Sequence, residues 1–121
     1  MNDKRQYLRI PESSELSYRL IPQTKTIGSI SKDISTGGVR FSTREFIPIG
    51  STLRIRLSIK TIPYIFDASL RVKWAKKMPG SDRYEIGAEF IDIPREGLLQ
   101  LERYIRESSG EEKGRDDTSG D

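Results

Sequence analysis

"TLRIRLSIK", residues 52–60, alternates without a break: Leu53, Ile55, Leu57 and Ile59 fall on one side, Arg54, Arg56, Ser58 and Lys60 on the other. A period of two is the pattern of a strand with one face buried and one face in water. Helical spacing would scatter these apolar residues around the whole circumference.

The same period recurs on both sides of this stretch. "ELSYRLI" (15–21) sets Leu16, Tyr18 and Leu20 against Glu15, Ser17 and Arg19. "TIGSISKDI" (26–34) puts Ile27 inward, with Ile30 as a second inward candidate, and "GVRFST" (38–43) follows it. Beyond a Pro48/Gly50 break, "IFDASLRVKWAKK" (65–77) alternates through Leu70, Val72 and Trp74, which places Trp74 in the core. "MPGSD" reads as a turn, and "RYEIGAEFIDI" (83–93) as a last strand containing Gly87. Six short antiparallel strands separated by turn signals predict a small barrel or sandwich. After Pro94 the period changes. "PREGLLQLERYIRE" carries Leu98, Leu101 and Ile105 at helical spacing, so one amphipathic helix is expected to pack on the strands.

Composition divides the chain. Residues 107–121 hold no apolar side chain and carry six acidic and two basic groups, a net −4, and read as a disordered tail. Residues 1–106 form the expected domain, with 19 basic and 12 acidic groups, a net +7 that suits an anionic partner. Cysteine and histidine are absent, so thiol nucleophiles, histidine acid–base pairs and His/Cys zinc sites are excluded. With no convincing carboxylate pair in a Gly-rich setting, a non-enzyme is expected. No apolar run approaches the roughly 20 residues that span a bilayer, and the basic N-terminus lacks the apolar stretch of a signal peptide. The expectation is a soluble cytoplasmic protein with no membrane insertion.

Two short clusters carry the functional reading. In "KRQYLRI", Arg5 and Arg9 stand four apart; in "KDISTGGVRF" (32–41), Asp33, Ser35 and Gly38 give the spacing D-x-S-x-x-G. The plain readings are a solvated basic N-terminus and an Asx-type turn between strands. Arginine's planar fork pairs with phosphate or with a guanine edge and stacks on a base. An aspartate accepts protons, a serine offers a short hydroxyl, and glycines such as Gly37 and Gly38 permit positive φ and close backbone approach.

The two clusters in this order, ahead of a β-rich body, resemble the PilZ domain family. Its signature is R-x-x-x-R near the N-terminus and [D/N]-x-S-x-x-G at a strand junction. "FIPIGSTLRIRL", "RVKWAKK" and "YEIGAEFIDI" are similar to further segments of that family, so the resemblance covers about residues 4–106. It implies an all-β, six-stranded antiparallel barrel with one C-terminal α-helix. It also implies a receptor for cyclic di-GMP that acts on a protein effector and needs no cofactor. The ligand-binding residues it implies are Arg5, Arg9, Asp33, Ser35, Gly37 and Gly38. Lys4 is added as a candidate phosphate contact at a position linked in the family to ligand stoichiometry. The alternative is a small basic barrel that binds nucleic acid, for which the Arg54/Arg56/Lys60 stripe is the best surface. Such a module wants several exposed aromatics, and most aromatics here fall at apolar-parity or strand-edge positions. That stripe is therefore expected to be a solvated sheet face.

Overall fold

The computed structural model describes residues 9–116 except Lys60, with side chains as far as Ser108. The chain forms β1 (Ile10–Pro11), β2 (Glu15–Leu20), β3 (Thr26–Ile34), β4 (Gly38–Thr43), β5 (Thr52–Ser58), β6 (Ile65–Lys77), β7 (Tyr84–Asp92) and α1 (Arg95–Asp116). All strand pairs are antiparallel, in the order β3-β2-β5-β6-β7-β4, and β4 closes the barrel by pairing back onto β3. The six expected strands make this ring. The seventh, β1, lies on the same edge of β3 as β2. Backbone bonds from Glu12 N to Lys32 O (3.1 Å) and Ser31 N to Ser14 O (2.9 Å) bridge the gap between β1 and β2. The ladder along β3 therefore runs almost unbroken from Ile34 back to Thr26.

Closure gives every strand an inward row, and these rows form the core. Leu53, Ile55 and Leu57 of β5 are buried, as are Leu16 and Tyr18, Val39 and Phe41, and Phe66, Ala68, Leu70 and Val72. Tyr18 is admitted to this interior because its hydroxyl hydrogen-bonds the Thr43 hydroxyl at 2.6 Å.

Two inward assignments are corrected. Ile30 is 50% exposed, because it stands three residues from Ile27 and so has the opposite parity. The register shift between Ser31 and Asp33 comes after it and instead lets Ile34 turn inward. Trp74 is 40% exposed, not buried. Val72 pairs with Ala88 and Trp74 with Gly87, so Lys73 and Trp74 together oppose one residue of β7. That bulge turns Trp74 to the outside and hands the inward position to half-buried Ala75.

Helix α1 buries Leu101 and Ile105, half-buries Leu98 and leaves Leu99 exposed. Its first turn sets Gly97 against Tyr64 and Phe66, which pack edge to face at 5.1 Å. The helix continues to Asp116, past the boundary at residue 106 and into the stretch read as a disordered tail. No proline interrupts residues 95–116, and a helix already nucleated by packed residues adds one hydrogen bond per residue.

The helix is also tied to the N-terminal strand. Tyr104 donates its hydroxyl to Glu12 Oε1, while Ser14 donates to Glu12 Oε2 at 2.5 Å. Burial, followed by the Glu12 carboxylate it bonds, pushes the Tyr104 phenol up to about 12. A raised pKa means stability that is fully present below the ordinary tyrosine value of about 10 and lost as pH rises through the folded value. Alkaline unfolding between about pH 10 and 12 should therefore be less steep in Tyr104→Phe than in the wild type. Melting temperature against pH reads this directly; identical alkaline slopes would show that the Tyr104–Glu12 contact is not a stabilising one.

Candidate functional site

The outer surface of the barrel carries one cross-strand row of unusual chemistry. Following the register from β1 through β3, β4 and β7 to β6, the partners are Pro11, Asp33, Arg40, Gly87 and Trp74. Gly38 lies two residues from Arg40 on the same face of β4, paired with Glu89. Where neighbouring strands would project side chains, Gly38 and Gly87 project none. A shallow depression in the sheet results.

That depression is an open cleft of about 440 Å³, lined by Arg9, the Ser35–Gly38 loop, Lys73, Trp74, Gly87 and Glu89 among others. Trp74 lies against Gly87 so closely that a Cβ there would stand 2.2 Å from its indole ring atoms Cε2 and Nε1. A flat aromatic face beside a basic rim is suited to a planar, anionic ligand.

Each residue predicted from the sequence has a definite position. Arg9 donates from Nη1 to Asp33 Oδ1 at 2.5 Å, which joins the two sequence clusters across 24 residues. Asp33 is only 6% exposed and also takes Nη2 of Arg40 on Oδ2 at 2.6 Å. Each of its two oxygens thus holds one arginine, and it reaches the cleft through Arg9. Ser35 is fully buried, and its hydroxyl accepts the backbone N–H groups of Gly37 (3.0 Å) and Gly38 (3.2 Å). Ser35 N donates to Gly38 O at 2.9 Å, closing the turn. The serine's short hydroxyl therefore shapes the loop.

Gly38 is corrected in its reason. Positive φ occurs at Gly50 and Gly80, and not at Gly38. Its requirement is space: a Cβ would meet the Ala88 carbonyl oxygen at 2.0 Å. Gly37 lies on the cleft wall, and its carbonyl accepts from Phe90 N at 2.8 Å, pinning the loop to β7. Arg5 and Lys4 lie outside the described residues.

Sequence reading missed three residues near the site. Trp74 needed the bulge, for which the only hint was a glycine inside an otherwise regular strand, Gly87. Lys73 and Arg40 read as ordinary outward cations in alternating strands.

The rival surface is occupied by its own side chains. Arg56 makes a two-pronged contact with Asp67 (Nε–Oδ1 3.0 Å, Nη2–Oδ2 3.3 Å), and Arg54 donates to Ser69 Oγ at 2.7 Å. Lys60 lies outside the described residues. Among the described residues, no cluster of three or more acidic side chains could hold a metal ion, and no helix is long and apolar enough to cross a membrane.

Comparison with known proteins bears on the fold. The family model described as "PilZ domain" matches residues 3–107. No curated protein matches the chain. Among solved structures, the inhibitor of motility MotI/DgrA of Bacillus subtilis superposes with a TM-score of 0.74 at 18% identity, covering 86% of this chain and 50% of that one. MrkH of K. pneumonia in its apo state gives 0.75 at 20% identity, covering 95% and 55%. The PilZ domain of YcgR from Escherichia coli, solved with c-di-GMP, gives 0.67 at 17% identity, covering 95% of this chain and 98% of that one. At such identities the likeness is one of fold. The chain spans about half the length of the MotI/DgrA and MrkH chains.

Proposed function

The chain belongs to the PilZ domain family, and from that premise we propose that it is a non-catalytic receptor for cyclic di-GMP. In this reading it couples the messenger to a partner protein and, as the receptor of an intracellular messenger, acts in the cytoplasm. One observation carries the reading. Arg9 and the Ser35–Gly38 loop, far apart in sequence, meet on one cleft that also holds the Trp74 ring.

The chemistry follows from the residues. Cyclic di-GMP offers two phosphates and two guanines, so a site needs cations, planar donors and an acceptor for guanine N–H groups. Arg9, 49% exposed at its side chain, can reach a phosphate or the O6/N7 edge of guanine. Asp33 supplies the acceptor. Gly37 and Gly38 let the ligand approach the backbone, and Trp74 offers a stacking face. Arg5 and Lys4, from the preceding segment, add positive charge for the phosphates. This binding requires no metal and no cofactor.

Trp74 is the only tryptophan in the chain, so its fluorescence reports on the cleft without a label. Adding cyclic di-GMP should change Trp74 emission, and calorimetry should show saturable binding. A mixed-sequence oligonucleotide at physiological salt should give neither. Binding of the oligonucleotide without binding of the dinucleotide would replace this reading by the nucleic-acid one. The Arg54 and Arg56 contacts with Ser69 and Asp67 speak against that replacement.

A further inference from the structure

Asp33 faces a conflict that its surroundings resolve. Its side chain is 8% exposed and holds two guanidinium groups, Arg9 on Oδ1 and Arg40 on Oδ2. Arg9 lines the cleft; Asp33 and Arg40 stand behind it, joined to it through the Arg9–Asp33 pair. A ligand that draws Arg9 wholly onto a phosphate, or that competes with it for Oδ1, breaks the Arg9–Asp33 pair. A carboxylate so little exposed cannot be left without a partner except at large cost.

We propose that Arg40 is a positioning residue for the ligand site. It keeps Asp33 paired and in place while Arg9 transfers to the ligand. The inference rests on the cyclic di-GMP reading and assigns a role to a residue two positions beyond the D-x-S-x-x-G motif. Arg40 is placed for it on three grounds. It sits directly between Asp33 and Gly87 in the cross-strand row. Its contact with Oδ2, at 2.6 Å, lies on the side of the carboxylate away from Arg9. Its other terminal nitrogen, Nη1, lies 3.7 Å from Glu85 Oε2, which Lys32 also approaches at 3.7 Å, so Arg40 is anchored from behind. Its Nε is buried with no hydrogen-bond partner among the described residues. The guanidinium is therefore oriented by the carboxylates it serves and gives up one donor to remain there.

A double-mutant cycle on binding tests this role. Arg40→Met should lower cyclic di-GMP affinity about tenfold or more, although the residue does not line the cleft. Arg40→Lys should recover part of the loss. In an Asp33→Asn background, where no charge needs a counter-ion, adding Arg40→Met should cost less than about threefold. Melting temperatures accompany each measurement. Val39→Ala, a cavity in the same strand at a fully buried position, supplies a destabilised protein that should bind normally. Loss of affinity in Val39→Ala equal to that in Arg40→Met would reduce Arg40 to a structural residue. An undiminished effect of Arg40→Met in the Asp33→Asn background would overturn the role, since Arg40 would then act without Asp33. So would wild-type affinity in Arg40→Met. Failure of the receptor reading shows separately, as absence of binding by the wild type.

Discussion

Arg9→Ala should remove most of the chain's affinity for cyclic di-GMP, while Arg56→Ala should leave it unchanged. Both substitutions delete an exposed arginine that pairs with an aspartate, Arg9 with Asp33 and Arg56 with Asp67. They differ in where the arginine stands. Arg9 lines the cleft with Trp74; Arg56 lies on the β2–β5–β6 face, outside that cleft. A charge-assisted contact contributes roughly 1.5–3 kcal/mol, and Arg9→Ala removes at least one. At about 1.4 kcal/mol per decade the expected loss is roughly tenfold to hundredfold. Stability should change little in Arg56→Ala, because an exposed ion pair contributes about 0–1 kcal/mol. It should change little in Arg9→Ala because nearly buried Asp33 still has a counter-ion, Arg40. Calorimetric titration of both variants against the wild type is the measurement. Equal losses would mean that a diffuse basic surface attracts the ligand and that the cleft has no special part.

How far such a site is legible in the sequence depends on what each residue requires. β5 was fully visible, because Leu53, Ile55 and Leu57 alternate and are all buried. The turn at Asp33–Gly38 is visible as well, because small polar residues and glycines interrupt a strand pattern there for a local reason. The position of Trp74 was not. A bulge is a relation between two strands, and Lys73 gives no sign that it shares its partner position on β7. Arg40 was hidden for a related reason. An outward arginine in an alternating strand looks the same whether it meets water or a nearly buried carboxylate, and only the β3–β4 register brings it to Asp33. For Gly38 the sequence leaves open two needs of glycine, backbone freedom and close approach, and only the β4–β7 pairing shows that the second applies. The extent of α1 is not legible because residues 107–116 hold no apolar side chain, and a helix end needs no buried face.

Those two needs of glycine lead to the largest expected loss of stability. Gly38→Ala should destabilise the barrel severely, whereas Gly87→Ala should leave it folded and impair binding. At Gly38 the new Cβ would lie 2.0 Å from Ala88 O and 3.0 Å from Ala88 C and Glu89 Cα, all of them β7 backbone. None can turn aside. The β4–β7 ladder must open at its first pair, Gly38 with Glu89, and the Phe90–Gly37 and Ser35–Gly38 bonds are strained with it. Overpacking of this kind costs about 1–3 kcal/mol or more. In a domain of this size each kcal/mol lowers the melting temperature by roughly 4–8 °C. At Gly87 the close neighbours are Trp74 ring atoms, 2.2–2.7 Å away on a side chain 40% exposed. The ring can swing outward, and alanine recovers some of the backbone entropy that glycine loses in a strand. Melting temperature should therefore stay within a few degrees. Binding should not survive so well, because the displaced indole no longer floors the cleft, and stacking of a base on an aromatic ring contributes about 1–3 kcal/mol. Thermal melts and dinucleotide titrations of both variants separate the two effects. If Gly87→Ala melted as early as Gly38→Ala, the Trp74–Gly87 contact would belong to the barrel's packing, and the stacking role of Trp74 would be lost with it.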